Sequence, residues 1–274
     1  MATNAPPAAK AQTPRPGRVK PILEEAGELA VFSVSAIAAL RGVPGNMSEV
    51  LRQSGKLVRG STLIIAFLGF LIGFSVIEFG YYFLRAVSAT DYLGLVSGVI
   101  SPRGTAPLMF AYVFAAKVGC GIVAELGAMR VNQETDAYES EGVDPMRYLV
   151  ATRLAAAWLF IPLAAVVSLL ANTAGAWFAG IVVLDGLTSS AFFRYHWGVQ
   201  TMSDQFLAML CILTVATVIV LVSCFYGLRT RGGPAAVGQA TARSLVVNLG
   251  LIHIIVPAYL ALAYGTDPHL PIGG

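Results

Sequence analysis

The chain has 274 residues, of which 56% are hydrophobic and only 12% charged. Because soluble domains average about 25% charged residues, this composition excludes an ordinary water-soluble protein and predicts an integral membrane protein. The net charge of +3 does not favour nucleic acid as a partner. The three cysteines form no CxxC pair, which argues against a zinc site or a disulfide framework.

The N-terminal segment divides into two parts. Residues 1–21 are rich in Ala, Pro and basic side chains and lack the apolar core of a signal peptide, so we expect a disordered basic tail in the cytosol. Residues 22–42 are acidic at their start and apolar afterwards, and they are marginal in length for a span. Four basic residues follow: Arg41, Arg52, Lys56 and Arg59. This pattern predicts an interfacial or re-entrant amphipathic helix at the cytosolic face.

Residues 43–274 contain five stretches long and apolar enough to cross a bilayer core, which takes about 20 residues in a helix. They are 61–84, 105–126, 148–184, 205–226 and 244–264. The third is long enough for one protruding helix of about 55 Å or for two spans. Treating it as one span leaves only Arg85, Arg103 and Arg194 in the outer segments, as the positive-inside rule requires. We therefore predict an all-α fold with the N-terminus in the cytosol and the C-terminus outside.

Two connections and the C-terminal tail face outside in this topology. The connections are 85–104 and 185–204, and the second contains four aromatic residues: Phe192, Phe193, Tyr195 and Trp197. Aromatic side chains at this density indicate an interface belt. Docking to an outer partner is the alternative.

The loop between the second and third spans is acidic. Its carboxylates are Glu134, Asp136, Glu139, Glu141 and Asp144. We predict a short helix over 131–143, with Asn132 capping its start and Gly142 its end. Val131, Thr135 and Tyr138 share one face, and the helix would present Tyr138 and its carboxylates to the cytosol. The alternative is a solvated connector.

The sequence contains no motif typical of a nucleotide-binding or catalytic site. The nearest approach to a phosphate loop, GGPAAVGQA at 232–240, has no lysine, so we expect ATP and Mg²⁺ only on a partner chain and no cofactor or metal on this one. Neither HExxH nor GxSxG occurs. His253 is the one histidine within a span, and we expect it to hydrogen-bond a neighbouring helix. The chain is therefore not predicted to be an enzyme.

Charges inside the spans are the remaining polar signal. Lys117 lies eight residues before Glu125 on a similar face of the second span, where it would snorkel, pair within the bundle, or line a polar cavity or a subunit seam. Glu78 is expected to pair with Arg85 or with Arg103. Gly69 and Gly73 form a GxxxG pattern that permits close helix packing.

Two segments resemble a known family. AELGAMRVNQETDAYESEGVDPMRYLVATR (124–153) looks like the signature loop of the MlaE/YrbE permeases, the membrane subunits of MCE-type ABC lipid transporters. YGLRTRGGPAAVGQATARSLVVN (226–248) is similar to the family's loop before its last span. The ending PIGG (271–274) resembles actinobacterial YrbE subunits of the B type.

The resemblance implies an interfacial helix plus five spans, with the acidic loop as the coupling helix that docks on a cytosolic ABC ATPase. Asn132 to Gly142 would transmit the motion, and Glu125 and Arg130 would brace the helix ends. The implied partners are a second, A-type permease forming a heterodimer and an MCE ring on the outer face. The implied substrates are phospholipids, fatty or mycolic acids, or sterols, moved at the bacterial inner membrane.

The chain also departs from the family. SPRGTAPLM (101–109) replaces an Arg-Glu-Leu-Gly-Pro run, Lys117 replaces an arginine and loses its planar fork, and Tyr138 and Ser140 stand where apolar residues are usual. Two other classes of function are weighed against the transporter: a scaffold or channel that needs no ATP, and an intramembrane lipid-modifying enzyme using Lys117, Glu78 or His253.

Overall fold

A computed structural model describes residues 19–184 and 187–265. The predicted basic tail therefore lies outside the described residues up to residue 18, as does the PIGG ending. Within the described ranges the chain is helical without a strand, and five of its helices are long and apolar enough to cross a membrane. The all-α fold and the count of five spans are confirmed.

The first span and the helix that precedes it form one continuous helical segment. Helix α1 is Val19–Ala39, a 3₁₀ turn covers Leu40–Asn46, and α2 is Met47–Ala86. Pro44 lies within that turn, where its missing N–H breaks the α-helical bonding. α2 begins well before residue 61, because Glu49 in its first turn suits the helix dipole and pairs with Arg52 one turn later. The interfacial position of α1 stays a prediction.

The second span is longer than predicted. It runs as one helical rod over Thr90–Val131, made of a turn at Thr90–Tyr92, α3 at Leu93–Ile100, α4 at Ala106–Phe114 and α5 at Cys120–Val131. Wider π-helical turns join these parts at Ser101–Thr105 and Ala115–Gly119, the first around Pro102. The predicted connection 85–104 is too long, because its apolar second half is helical and packs on another helix.

The third stretch is a single rod, as the charge pattern predicted. After the short helix α6 (Glu134–Ser140), a π-helical turn at Met146–Ala151 leads into α7 (Thr152–Trp177), and another follows at Phe178–Val183. The 38 residues of Met146–Val183 reach about 57 Å at 1.5 Å per residue. This rod is longer than the bilayer core and has to tilt or protrude.

The last part of the chain holds α8 (Ser189–Gly198), α9 (Met202–Leu228) and α10 (Pro234–Tyr264). α8 occupies much of the predicted 185–204 connection, and the Thr188 side chain caps its start by accepting from the Ala191 N–H. We call the end of the bundle that carries α6 the α6 end and the opposite end the α8 end.

Glycines set the closest helix contacts. A Cβ on Gly73 would lie 1.9 Å from the Asn172 carbonyl oxygen of α7, and one on Gly175 of α7 would lie 1.9 Å from the Phe70 oxygen of α2. Such contacts are possible only without a side chain. Gly69 has more room, since its Cβ would be 3.3 Å from the Ser168 oxygen. The GxxxG pair therefore lies at the seam between α2 and α7.

α3 and α8 pack in the same way. A Cβ on Gly94 would come within 2.2 Å of the Phe192 oxygen, and one on Gly98 within 2.5 Å of the His196 oxygen. Phe192 and His196 are fully buried, whereas Phe193 and Trp197 remain exposed. Of the four residues in the predicted aromatic belt, Phe192 belongs to the core, Tyr195 is half-buried, and Phe193 and Trp197 face outward.

The main core lies between α4, α5, α7 and α9, where Phe110, Phe114 and Phe160 stack in a row. Large apolar side chains also cover the outside of the bundle. Leu63, Phe83, Met202 and Leu262 are mostly exposed. An apolar outer surface of this kind suits contact with lipid.

Candidate functional site

The acidic helix α6 is held by a sharp turn at each end. Gln133 before it has a left-handed backbone (φ +61°), and Gly142 after it has φ +78°. The Val143 N–H donates to the Tyr138 carbonyl and the Gly142 N–H to the Glu139 carbonyl, which is the Schellman arrangement. The predicted end at Gly142 matches this geometry. The predicted cap at Asn132 is wrong, because the turn takes Asn132 and Gln133 and the helix begins at Glu134.

One face of α6 is fixed to the spans. Thr135 is buried, and its hydroxyl accepts a hydrogen bond of 3.0 Å from Arg130 of α5. Arg130 also pairs with Asp136. The Tyr138 ring lies 5.4 Å from the ring of Tyr148 at the start of the third span. Tyr138 is therefore half-buried and packs on the bundle, which corrects the expectation that it faces the cytosol.

The opposite face of α6 carries free negative charge. All five carboxylates of the segment are exposed: Glu134, Asp136, Glu139, Glu141 and Asp144. Asp144 pairs with Arg147 at 3.4 Å and accepts from the Met146 N–H, so it caps the start of the third span. Within the described part of the chain, Glu139 and Glu141 make no ion pair. This exposed face can therefore bind a cationic surface.

Glu125 connects three spans at the α6 end. Its carboxylate is 3.0 Å from Nη2 of Arg153 on α7 and 3.6 Å from Nζ of Lys56 on α2. Of the two residues expected to brace the ends of α6, Arg130 contacts the helix. Glu125 instead lies further into the bundle and pairs with Arg153 and Lys56. Arg153 is buried and also donates to the Leu149 carbonyl.

Lys117 and Glu125 line one cavity of about 270 Å³ together with Lys56 and Arg153. The cavity lies between α2, α5, α7 and α9. Lys117 is exposed, and among the residues the structure describes it has no hydrogen bond or ion pair. Of the alternatives left open for Lys117, the geometry favours the polar cavity.

The predicted partners of Glu78 are wrong. Arg85 contacts the Tyr81 hydroxyl at 3.4 Å, and Arg103 pairs with Asp204 at 3.0 Å. Glu78 forms no ion pair with any described residue. Arg103 and Asp204 are both buried, and the pairing links α9 to the turn between α3 and α4.

His253 is a structural histidine. Its Nδ1 is 2.8 Å from the Leu249 carbonyl and its Nε2 is 2.8 Å from the Tyr112 hydroxyl. A carbonyl only accepts, so Nδ1 donates and Nε2 accepts from Tyr112 when the ring is neutral. His253 therefore joins α10 to α4, and among the described residues no carboxylate hydrogen-bonds to its ring. No cluster of three or more metal-ligating side chains occurs over residues 19–184 and 187–265.

A second set of polar contacts at the α6 end was not predicted from the sequence. Glu25 accepts from Tyr226 at 2.8 Å and pairs with Arg243 at 2.7 Å, and Glu28 pairs with Arg229 at 2.6 Å. These contacts fasten α1 to the connection between α9 and α10. The i, i+3 spacing of Glu25 and Glu28 places both carboxylates on one face of α1, which is the signal in the sequence for this charged contact.

Comparison with known proteins agrees with this architecture. Residues 50–262 match the family described as Permease MlaE. A probable ABC transporter permease protein of Porphyra purpurea is 31% identical over 224 residues, which is 81% of this chain and 83% of that protein. One from Synechocystis is 31% identical over 76% of this chain and 78% of its own length.

A probable ABC transporter permease protein of Rickettsia prowazekii is 27% identical over 86% of this chain and 90% of its own length. These matches extend over nearly all of the described spans, α6 included. The chain is a multi-pass membrane protein that belongs to the MlaE permease family.

Proposed function

We propose that the chain is the permease subunit of an ABC transporter that moves lipids across the cell envelope, with α6 as its coupling helix. ATP and Mg²⁺ would bind to a separate cytosolic ATPase. The observation that carries the proposal is a short helix pinned to two spans on one face and bearing unpaired carboxylates on the other. The names of the relatives support the same role.

The contacts of α6 suggest how motion passes inward. A push on the exposed face of α6 reaches α5 through Arg130 and Thr135, and it reaches the third span through the Tyr138–Tyr148 contact. Glu125 then couples α5 to α7 and α2. The proposed coupling set is Glu125, Arg130, Asn132, Glu134, Asp136, Tyr138, Glu139, Glu141 and Gly142.

The proposed partners are a second, A-type permease, an MCE ring on the outer face, and a lipid such as a fatty or mycolic acid, a sterol or a phospholipid. Gly69 and Gly73 pack inside this chain, so the seam with a second permease would use other, exposed apolar faces. No nucleic acid is involved.

We place the protein in the bacterial inner membrane with its N-terminus in the cytosol and its C-terminus outside. The distribution of basic residues supports this orientation, because those at the α6 end far outnumber those at the α8 end. The α6 end carries Arg52, Lys56, Arg59, Arg130, Arg147, Arg229, Arg231 and Arg243, and the α8 end carries Arg85, Arg103 and Arg194.

Charge reversal of the exposed face of α6 tests the coupling role. In the double variant Glu139→Lys/Glu141→Lys, the exposed face of α6 becomes positive, and a cationic docking surface on the ATPase would repel it. The variant should therefore lose the co-purifying ATPase and ATP-dependent lipid transport in proteoliposomes. Asp91→Lys, an exposed reversal near α3, is the matched control and should behave as wild type. If the double variant keeps its ATPase and its transport, the coupling role is wrong.

The orientation is tested by labelling. Ser140→Cys places an exposed thiol on α6, whereas Cys211 and Cys224 are buried. A membrane-impermeant maleimide should label this thiol only in opened cells. Labelling of intact cells would put α6 outside and remove the proposed ATPase contact.

A further inference from the structure

The cavity between α2, α5, α7 and α9 has an excess of positive charge. Lys56, Lys117 and Arg153 line it, and Glu125 is the one carboxylate among its lining residues. Charges inside a membrane span are costly unless they are paired. The next carboxylate, Glu49, pairs with Arg52 and accepts from Gln53, so among the lining residues the cations still outnumber the carboxylates. An anion in the cavity would reduce this imbalance.

A buried donor in the cavity wall also lacks a partner. Only 6% of the Arg153 side chain is exposed, and its Nη1 and Nη2 are used by the Leu149 carbonyl and by Glu125. Its Nε has no hydrogen-bond partner. Buried polar groups are nearly always satisfied, and a guanidinium favours the oxygens of phosphates and carboxylates.

The cavity has room for a headgroup. At about 270 Å³ it is near the lower limit for small-ligand pockets. Gly60 and Gly121 line it, and a Cβ at either position would meet no atom within 4 Å. Close packing of the helices therefore does not require glycine at these two positions, and the missing side chains leave open space in the cavity.

Most of the remaining wall is apolar, with Leu57, Val118, Ile122 and Val220 among its residues, and Gln53 and Ser61 add uncharged polar groups. Lys117 and Gly121 are exposed on the outer face of the rod, so a hydrocarbon tail has a route from the cavity to the surface of the bundle. This combination suits an amphiphile better than a small hydrophilic ion.

We infer that this cavity binds one anionic phosphate or carboxylate group, that of a lipid headgroup, through Lys117 and Lys56, with the buried guanidinium of Arg153 adding positive charge to the wall. The inference extends the proposed transport function, and the role of the cavity in lipid transport rests on that function. A negatively charged lipid would enter at the α6 end, with its head beside Glu125 and thus beside the contacts that lead to α6.

Binding is tested on the full-length chain with its co-purifying partners, in nanodiscs and without ATP. Native mass spectrometry compares retained phosphatidylglycerol with phosphatidylcholine of the same acyl chains. We expect about a tenfold preference for phosphatidylglycerol, which Lys117→Gln and Gly121→Leu should each abolish. Lys117→Arg should retain the preference.

Two control variants match these changes. Arg59→Gln removes a charge on α2 outside the cavity wall, and Gly250→Leu adds the same bulk on α10, where its Cβ meets open space. Both should keep the wild-type preference. Equal retention of the two lipids by wild type, or a preference unchanged in both Lys117→Gln and Gly121→Leu, would overturn the inference.

Inorganic phosphate distinguishes the two sources of the anion. Phosphatidylglycerol that persists against added phosphate supports a lipid headgroup as the occupant, whereas displacement by phosphate supports the same anion site with a free ion. Loss of the second permease from Lys117→Gln with lipid retention unchanged would instead make Lys117 a subunit contact, against the inference. The α6 charge-reversal variant should keep the lipid preference, so this test and the coupling test fail separately.

Discussion

The Tyr226 hydroxyl donates a 2.8 Å hydrogen bond to Glu25, joining the first helix to the end of α9 across 201 positions of the chain. Glu25 also pairs with Arg243 at the start of α10. Its side chain is only 29% exposed, whereas that of Glu28 in the neighbouring pair is 53% exposed. Because exposed ion pairs contribute little to stability, Glu25 is the main polar attachment of α1.

Glu25→Gln should therefore loosen α1 more than Glu28→Gln does. The first change weakens two contacts, and the second removes a screened surface pair worth about 0–1 kcal/mol. Hydrogen exchange across Val19–Ala39 measures this directly, and it should be faster in Glu25→Gln. Equal exchange in the two variants would show that apolar contacts, such as Phe32 on Phe225, hold α1 by themselves.

A buried ion pair holds the α8 end together. Asp204 pairs with Arg103, accepts from Tyr264 at 2.6 Å, and caps α9 through the Thr201 N–H at 2.8 Å. The Arg103 guanidinium also lies 4.2 Å from the centre of the Tyr264 ring. One carboxylate therefore joins the α3–α4 turn, α9 and α10.

Asp204→Ala should destabilise the protein by about 3–5 kcal/mol, the usual loss when one partner of a buried pair is removed. Thermal unfolding in detergent should show a clear drop in the midpoint, while the exposed control Asp91→Ala should change it little. A midpoint equal to that of wild type would mean that water takes over the contacts of Asp204.

Local patterns were enough to predict the spans, the helical acidic loop and Gly142 at its end, because these features depend on residues within a few turns of one another. The partner of Arg103 could not be found in this way. Asp204 is 101 positions away, whereas the sequence indicated Arg103 only as one of two possible partners of Glu78. Helix α3 could not be predicted, because five apolar residues, two glycines and a serine do not distinguish a helix from a loop until α8 packs against them.

The same limit applies to the candidate site. The carboxylates of α6 could be identified from composition, but the burial of Thr135 and the contact between Tyr138 and Tyr148 depend on how α5 and the third span converge. For Lys117 the sequence left several roles open. Only the positions of Lys56 and Arg153 on other helices show that it shares a cavity with them.

Gly73 and Gly69 should respond differently to the same substitution. Gly73→Ala places a methyl group 1.9 Å from the Asn172 oxygen, whereas Gly69→Ala leaves 3.3 Å to the Ser168 oxygen. Overpacking usually costs about 1–3 kcal/mol, and the cost at Gly73 should be at the upper end or beyond because backbone must move. Yield and thermal midpoint should fall for Gly73→Ala and change little for Gly69→Ala. Gly27→Ala, in open space on α1, is the control, and a ranking in which Gly69 is the more sensitive would contradict this geometry.

Burial between α3 and α8 lowers the pKa of His196 to about 4. An unfolded histidine has a pKa near 6.5. Below that pH the unfolded chain therefore binds a proton at His196 that the folded chain does not bind. The stability of this packing should be complete above about pH 6.5 and fall as the pH decreases toward 4, by about 3 kcal/mol in all. Thermal midpoints measured across this range should drop more steeply in wild type than in His196→Gln, which has no proton to gain. Parallel pH profiles for the two proteins would mean that His196 titrates normally and that α8 opens to water in the native state.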